Sequence, residues 1–569
     1  MHGQSFSLPA VLQQSLDQAI DDWQAGDKVA RLWARDASLW TGSDEADWLD
    51  WLTITRELRG SVDALDEALA FVREGGFRHA VLLGMGGSSL GPEVLQLTFG
   101  TQAGHPEWLI VDSTDPAQIR AVEAWIDYAH TLFLVSSKSG STLEPNIFKD
   151  YFFTRATEEL GQAEASARFM TVTDPGSNME SVARGDHFRA IFHGRPQIGG
   201  RYSVLSHFGL VPAAVMGVDL ARFLDRTEEM VAACENTAVA QNPGVMLGLV
   251  MGTAALQGRD KLTILASPGI AAMGAWMEQL VAESTGKQGK GIIPVDGEAL
   301  GAPADYGDDR LFAYLHMAGD DDGTERAKIE ALAGAGHPVV SIELSDAYDL
   351  GKEFFRWEIA TAVAGSVLGI HPFNQPDVEA SKIETRKLTE AFEANGRLPE
   401  GTPMASDEHF TLFTDATNAG ALRELAGSDA SVEDYLKAHI GRLGAGDYLA
   451  LLAYVNRLEP RHDDALQRIR NHVCTSARVA TCVGYGPRFL HSTGQAYKGG
   501  PNSGVFLQIT CDDAQDLPVP GRKYSFGIVK AAQAQGDFQV LSERSRRALR
   551  VHIGSDTVVA LKRLADILA

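Results

Sequence analysis

The spacing of apolar positions changes character near residue 70. Before it, apolar residues recur at helical intervals among many charges, with tryptophans as anchors, which predicts a helical segment over residues 1–70. After it, short apolar runs alternate with amphipathic stretches, the pattern of parallel α/β structure. HAVLLG (79–84), WLIVDS (108–113), TLFLVSS (131–137), RFMTVTD (168–174) and RAIFHG (189–194) predict five strands of one doubly wound sheet within residues 71–212. Residues 213–396 read as a second, similar unit. It opens on a helix over 243–257, continues through LTILAS (262–267), RLFAYLHM (310–317) and PVVSIEL (338–344), and ends in a long helical pattern over 346–369. The Pro- and Gly-rich stretch LPEGTPMASDEH marks a boundary after about residue 397. YLALLAYV, ARVATCVGYG and GVFLQIT then predict a C-terminal α/β unit over 397–569. The expected fold class is therefore α/β, with two tandem doubly wound parallel sheets between a helical N-terminal segment and a C-terminal α/β unit.

Composition narrows the function. Hydrophobic residues at 44% and charged residues at 22% exclude a disordered or fibrous chain. The net charge of −25 repels nucleic acid and anionic lipid, so neither is an expected partner, and any anionic ligand must meet a local cluster of positive groups. Cys234, Cys474, Cys482 and Cys511 are too few and too scattered for a disulfide framework or a paired zinc site. The N-terminal stretch has no basic region followed by an apolar one, and a cytoplasmic location is expected. The uncharged stretch from Asn236 to Gly258 is broken by Gln241, Asn242 and Pro243, leaves less than the roughly 20 apolar residues of a membrane span, and reads as a buried core helix.

Candidate chemistry sits in the turns. In VLLGMGGSSLGPEVL (81–95) a strand runs into Gly84, Gly86 and Gly87, passes Ser88 and Ser89, and resumes as a helix near Pro92. Amides freed by glycines at a helix start make an anion site, although such a turn also serves as a plain connection. A dinucleotide fingerprint is the rival. Asp112 ends the next strand as a ribose-binding acid would, but G-x-G-x-x-G requires glycine at 89, which weighs against NAD. Ser136-Ser137-Lys138-Ser139-Gly140-Ser141-Thr142 ends the third strand and opens the helical pattern LEPNIFKDYFFTRATEEL. Hydroxyls, one ammonium and helix-start amides converge there, a combination that suits a phosphate dianion, while Ser/Thr clusters also act as N-caps. Both turns lie at the carboxyl end of one sheet, and together they favour a phosphate pocket. No Walker A pattern is present, so no nucleoside triphosphate is implied. Further on, QIGGRYSVLSHFGL (197–210) sets Arg201 after two glycines, and MEQLVAESTGKQGKG (277–291) puts Glu283 in the last turn of a helix. HPFNQPDVEASKIETRKLTEAFE (371–393) is a loop with Gln375 that feeds a helix carrying Lys382. Each of these also reads as an ion pair or a solvated charge.

GMGGSSLGP, SKSGSTLE, GGRYS, AESTGK and FNQ-x-x-VE-x-x-K stand in the order and spacing of the phosphoglucose isomerase family, which is built from two sugar-isomerase (SIS) domains. The resemblance covers roughly residues 70–396. With the loop FLHSTGQAYKGGP near the end, the chain is most similar to the isomerase half of fused transaldolase/phosphoglucose isomerase proteins. No transaldolase half is visible, and association with or derivation from such a fusion stays open.

The resemblance implies that Ser88, Ser137, Lys138, Ser139 and Thr142 bind phosphate, with Gly87 lining the turn. It places Arg201 on the arginine that stabilises an enediolate, Glu283 on the proton-shuttling base, and Gln375 and Lys382 on the loop and helix that meet the sugar. Moving a proton between C2 and C1 of an open-chain sugar needs one carboxylate and a fixed cation beside the developing oxyanion, and calls for neither metal nor redox cofactor. The family's ring-opening histidine is missing, because its stretch here is Asp305-Tyr306-Gly307-Asp308-Asp309-Arg310. His491 is the proposed replacement, since an imidazole titrating near pH 6.5 both gives and accepts a proton, and His371 is the second candidate. Pro376, Asp377 and Pro196 also depart from the commoner family residues. The expected function is an aldose-ketose isomerase interconverting glucose 6-phosphate and fructose 6-phosphate through a cis-enediolate. The alternatives are an isomerase of another sugar phosphate, such as mannose 6-phosphate, and a non-catalytic SIS sensor. A homodimer is expected, because family members commonly share residues across an interface.

Overall fold

The computed structural model describes residues 3–320 and 323–569. Along the chain run β1 (Gln4–Ser7), β2 (His79–Leu83), β3 (Glu107–Val111), β4 (Thr131–Ser136), β5 (Phe169–Thr173) and β6 (Ala190–His193). There follow β7 (Lys261–Ala266), β8 (Ile293–Val295), β9 (Arg310–Met317) and β10 (Val339–Leu344). The last strands are β11 (Ala405–Ser406), β12 (Phe410–Phe413), β13 (Tyr448–Tyr454), β14 (Ala480–Tyr485), β15 (Gly504–Cys511) and β16 (Arg547–Ile553). They make three sheets, with helices between successive parallel strands.

The first sheet has the order β3-β2-β4-β5-β6 and is parallel throughout. The chain direction across the sheet reverses between β2 and β4, so the loops that leave their carboxyl ends diverge and open a crevice where ligands of such folds bind. Those loops are the two Gly/Ser-rich turns. The second sheet, β1-β10-β9-β7-β8, is parallel except for β1, which pairs antiparallel with β10. The helical expectation for the first 70 residues therefore needs correcting at Gln4–Ser7. This strand is short, polar on its outer positions and at a sheet edge, so its backbone pairing, rather than any periodicity, defines it. The stretch 236–258 is the expected buried helix, Pro243–Leu256. It lies close against helix Leu350–Leu368: a Cβ at Gly248 would come within 2.4 Å of the Ala360 carbonyl oxygen.

The third sheet, β11-β12-β16-β15-β13-β14, is parallel over β13 to β16, and β12 runs antiparallel to β16. Its carboxyl-end loops face those of the first sheet. Arg457 follows β13 and Arg488 follows β14, and both reach Glu93 and Asp112 at the end of the first sheet. Asp112, the candidate ribose acid, is thus buried in ion pairs with Arg488 (3.0 Å) and Arg457 (3.3 Å). Burial alone would push the Glu93 carboxyl up, but Arg488 and then Arg457 hold it below the usual carboxylate range.

Arg488→Met is expected to destabilise the protein by about 1–3 kcal/mol, because it leaves two largely buried carboxylates to share Arg457 alone. The pH sign follows from Glu93. Its folded carboxyl titrates below its ordinary 4.5, so the stabilisation is complete above about pH 4.5 and is lost as pH falls through the depressed value. Acid unfolding followed by circular dichroism should therefore begin at higher pH in the variant, and an unchanged acid midpoint would show that the cluster contributes nothing.

Candidate functional site

A cavity of about 780 Å³ opens at the carboxyl ends of β2 and β4 and takes its other walls from loops and helices attached to the second and third sheets. Every residue that the motifs assign to sugar-phosphate chemistry lines it, as does His491, whereas His371 does not. Gly87 and Ser88 stand in the turn after β2, which touches the turn holding Arg201. A Cβ at Gly87 would lie 2.0 Å from the Gly200 carbonyl oxygen, so only glycine allows the two turns to meet. Ser137, Ser139 and Thr142 form the second wall. Thr142 is the N-cap of helix Leu143–Leu160 and makes no capping bond with its own side chain, and the buried Ser137 hydroxyl has no partner among the described residues. Both hydroxyls and the helix-start amides are therefore available to an anion. Lys138 differs from its expected role: its ammonium is paired with Asp174 and donates to the Pro196 carbonyl at 3.2 Å. Burial pushes the Asp174 carboxyl up, and Lys138 opposes it. Anion binding here rests on hydroxyls, amides and the helix dipole more than on this lysine.

Arg201, 2% exposed, is the centre of the opposite wall. Nε donates to Ser284 Oγ at 2.7 Å, Nη1 to Glu283 Oε1 and to Gln375 Oε1 at 3.1 Å each, and Nη2 to the carbonyls of Pro372 at 2.6 Å and Asn374 at 3.1 Å. All five guanidinium N–H donors are used. Glu283 ends helix Met273–Thr285, and its other oxygen accepts from Gln279 Nε2 at 3.1 Å. Behind it Lys287 donates to the carbonyls of Ser284 (3.0 Å) and His371 (2.7 Å). Burial, and then Arg201, push its ammonium well below the usual lysine range. Lys382 lies at the cavity edge, with its side chain 35% exposed and paired to Glu379 at 2.8 Å.

His491 enters from the loop after β14. Its Nε2 lies 2.9 Å from Glu144 Oε1, which also accepts from Gln533 Nε2 at 2.6 Å. Gln533 in turn accepts from Thr114 at 2.7 Å. Burial would push the Glu144 carboxyl up, yet the charge and hydrogen bond of His491 bring it below its ordinary value. His371 instead bonds Asp44 at 2.7 Å through Nε2 and accepts from the Phe373 amide through Nδ1, which removes it as a site histidine. Asp305 to Arg310, where the resemblance leads one to look for a histidine, do not line the cavity, and Arg310 is buried against Glu298. Sequence reasoning passed over Glu144, Gln279 and Gln533. Glu144 follows Thr142-Leu143 inside the SKSGSTLE motif and was legible as an acid in the first turn of a ligand-binding helix, whereas the two glutamines carry no local signal.

The phosphoglucose isomerase family model matches residues 71–307. Glucose-6-phosphate isomerase of Rubrobacter xylanophilus is 31% identical over 372 residues, covering 57% of this chain and 85% of that protein. This chain belongs to the phosphoglucose isomerase family. A probable glucose-6-phosphate isomerase of Methanococcus maripaludis is 26% identical and covers 54% of this chain and 77% of its own length. Among solved structures, a hypothetical protein from Thermus thermophilus shares the fold with a TM-score of 0.58 and 23% identity, covering 67% of this chain and 99% of that one. A glucose-6-phosphate isomerase from Chlamydia trachomatis superposes with a TM-score of 0.52 at 22% identity, covering 66% and 79%. The SIS-type architecture expected from the motifs is thus the observed one. Among the described residues no helix is long and apolar enough to cross a membrane.

Replacing Ser137 and Thr142 together by alanine is expected to weaken inorganic phosphate binding by about 1–3 kcal/mol, through loss of charge-assisted hydrogen bonds. Calorimetric titration of phosphate into wild type and variant measures it, and equal affinities would place the anion site elsewhere.

Proposed function

We propose that this chain interconverts glucose 6-phosphate and fructose 6-phosphate through a cis-enediolate. The observation that carries the reading is the Glu283–Arg201 pair, 3.1 Å apart, in the same cavity as the Ser137–Thr142 loop. The loop holds the phosphate through Ser88, Ser137, Ser139, Thr142 and the amides at the helix start, and so sets the sugar carbons against Glu283. Glu283 takes the proton from C2 of the open-chain aldose, and the C–H electrons form the C1=C2 double bond as the carbonyl electrons move onto O1. The hydroxyl proton of O2 passes to O1, and Glu283 returns its proton to C1 as the C2 carbonyl forms. Arg201 lies beside the developing oxyanion with its charge fixed in place, so no reorganisation is needed as charge appears. The gain is electrostatic, because every N–H of Arg201 already has an acceptor. Gln375 is the acceptor that substrate oxygens replace most easily, being a neutral side chain on the loop.

Ring opening falls to His491 in this reading, while Lys382 meets the sugar from the cavity edge. An ionised Glu144 accepts the Nε2 proton of His491, which leaves Nδ1 as the nitrogen that exchanges a proton with the sugar.

A coupled assay from fructose 6-phosphate, repeated with mannose 6-phosphate, tests the assignment. No product from either sugar would leave a sugar-phosphate sensor, which needs the phosphate loop but no base. Glu283→Gln is expected to lower turnover by at least about 10²-fold with little change in sugar-phosphate affinity, and equal losses in both would make the glutamate structural. His491→Ala is expected to slow the cyclic substrate by at least about tenfold while sparing proton exchange on an open-chain analogue. Equal effects on the two substrates would exclude a role in ring opening.

A further inference from the structure

The helix that carries Lys382, Pro376–Asn395, starts at the cavity wall without a cap of its own. Its N-cap residue is Gln375, whose side chain makes no capping bond and instead accepts from Arg201. Pro376 at the first helical position has no N–H, so the first orphan donors are the amides of Asp377 and Val378. Both donate to one atom, Oε1 of Gln495, at 2.9 and 3.2 Å. Gln495 lies in the short helix Gly494–Gly499 that follows His491, and it is fully buried. Its Nε2 donates to the Gly286 carbonyl at 2.9 Å, in the turn that follows Glu283, and to Asp377 Oδ2 at 2.8 Å. One side-chain amide thus joins three segments: the start of the Lys382 helix, the turn after the base, and the histidine loop.

The surroundings enforce this contact. A Cβ at Gly286 would lie 2.3 Å from Ala496 Cα, and one at Gly499 would lie 2.4 Å from Asp377 Oδ2, so the segments approach as closely as backbone allows. The Gly289 amide donates to the Gly499 carbonyl at 2.9 Å. The second oxygen of Asp377 accepts from Arg544 Nε at 3.0 Å, and Arg544 also comes from residues 397–569. Asp377, a departure from the commoner residue of the FNQ loop, is therefore matched by two partners in the C-terminal unit.

We infer that Gln495 is a positioning residue for the isomerase site: it caps the Lys382 helix from outside, frees Gln375 to bind Arg201, and sets Lys382 and Gln375 against Glu283. This inference rests on the proposed isomerase function. It assigns the C-terminal unit a second task beside delivering His491, namely holding the substrate-facing helix in register.

The test is Gln495→Glu, which keeps the acceptor toward the two amides but turns the donor into an oxygen facing the Gly286 carbonyl and the Asp377 carboxylate. Asp377→Asn in the same chain restores a donor to that oxygen. Gln495→Glu is expected to lower kcat/KM for fructose 6-phosphate at least tenfold and to leave competitive inhibition by inorganic phosphate within twofold of wild type. The double variant is expected to recover at least threefold. Hydrogen exchange, which needs no activity, is expected to show loss of protection at the amides of 377–382 in Gln495→Glu and in Gln495→Leu. Unchanged kcat/KM, a double variant with no recovery, or protection equal to wild type would each overturn the inference. If Gln495→Glu does not fold, Gln495→Leu and Arg544→Gln take its place in both measurements. A wild-type chain that turns over no hexose phosphate would sink the isomerase reading instead, and the exchange data would then decide whether the cap exists.

Discussion

The arrangement of the site depends on one guanidinium. Arg201 is almost wholly removed from water, and a charge in that position is tolerable only because each of its five N–H groups meets an acceptor. Those acceptors belong to the end of the helix carrying Glu283 and to the loop carrying Gln375, while Arg201 itself sits in the turn pressed against Gly87. The planar fork allows one relative placement of these parts, and any other leaves a buried donor unpaired at a cost of about 1–3 kcal/mol. Base, closing loop and phosphate turn are in this sense a single rigid object.

An acidic protein that binds a dianion has to solve an electrostatic problem locally. With a net charge of −25, the obvious device would be free lysines and arginines in the pocket. Here the nearest lysine, Lys138, is engaged by Asp174, and Arg201 by its own scaffold. The loop itself contributes uncharged donors, the Ser137 and Thr142 hydroxyls and the positive end of a helix dipole, while Lys149, Arg386 and Arg522 line the same cavity further off. Such donors discriminate by geometry, and they avoid the desolvation penalty of an extra buried ammonium.

Much of this was legible in the chain. The strands of the first sheet are apolar runs bounded by turn residues, and the five motifs mark residues whose roles need specific chemistry at short range. What escaped was of two kinds. Gln4–Ser7 has too few apolar positions to show a period, and it is a strand because β10 offers it a free edge. Glu144, Gln279, Gln495 and Gln533 act through partners that only the folded chain brings near. A glutamine in a sequence says nothing about the two amides it caps. The sequence ranks His491 ahead of His371 without deciding between them, and Asp44 against Glu144 as their neighbours is what separates them.

The contact between His491 and Glu144 joins positions 347 residues apart. During synthesis the phosphate loop, the arginine and the base all precede the histidine loop, so a nascent chain can hold most of the cavity while lacking its lid of C-terminal structure. Closure by such distant segments is entropically slow, because long stretches of chain must be ordered before the contact forms. In the interval, the carboxylates Glu93 and Asp112 and the buried Glu144 have no counter-charge from the last unit. Docking of residues 397–569 therefore neutralises one end of the first sheet through the same set of contacts that completes the site, which couples charge balance there to competence.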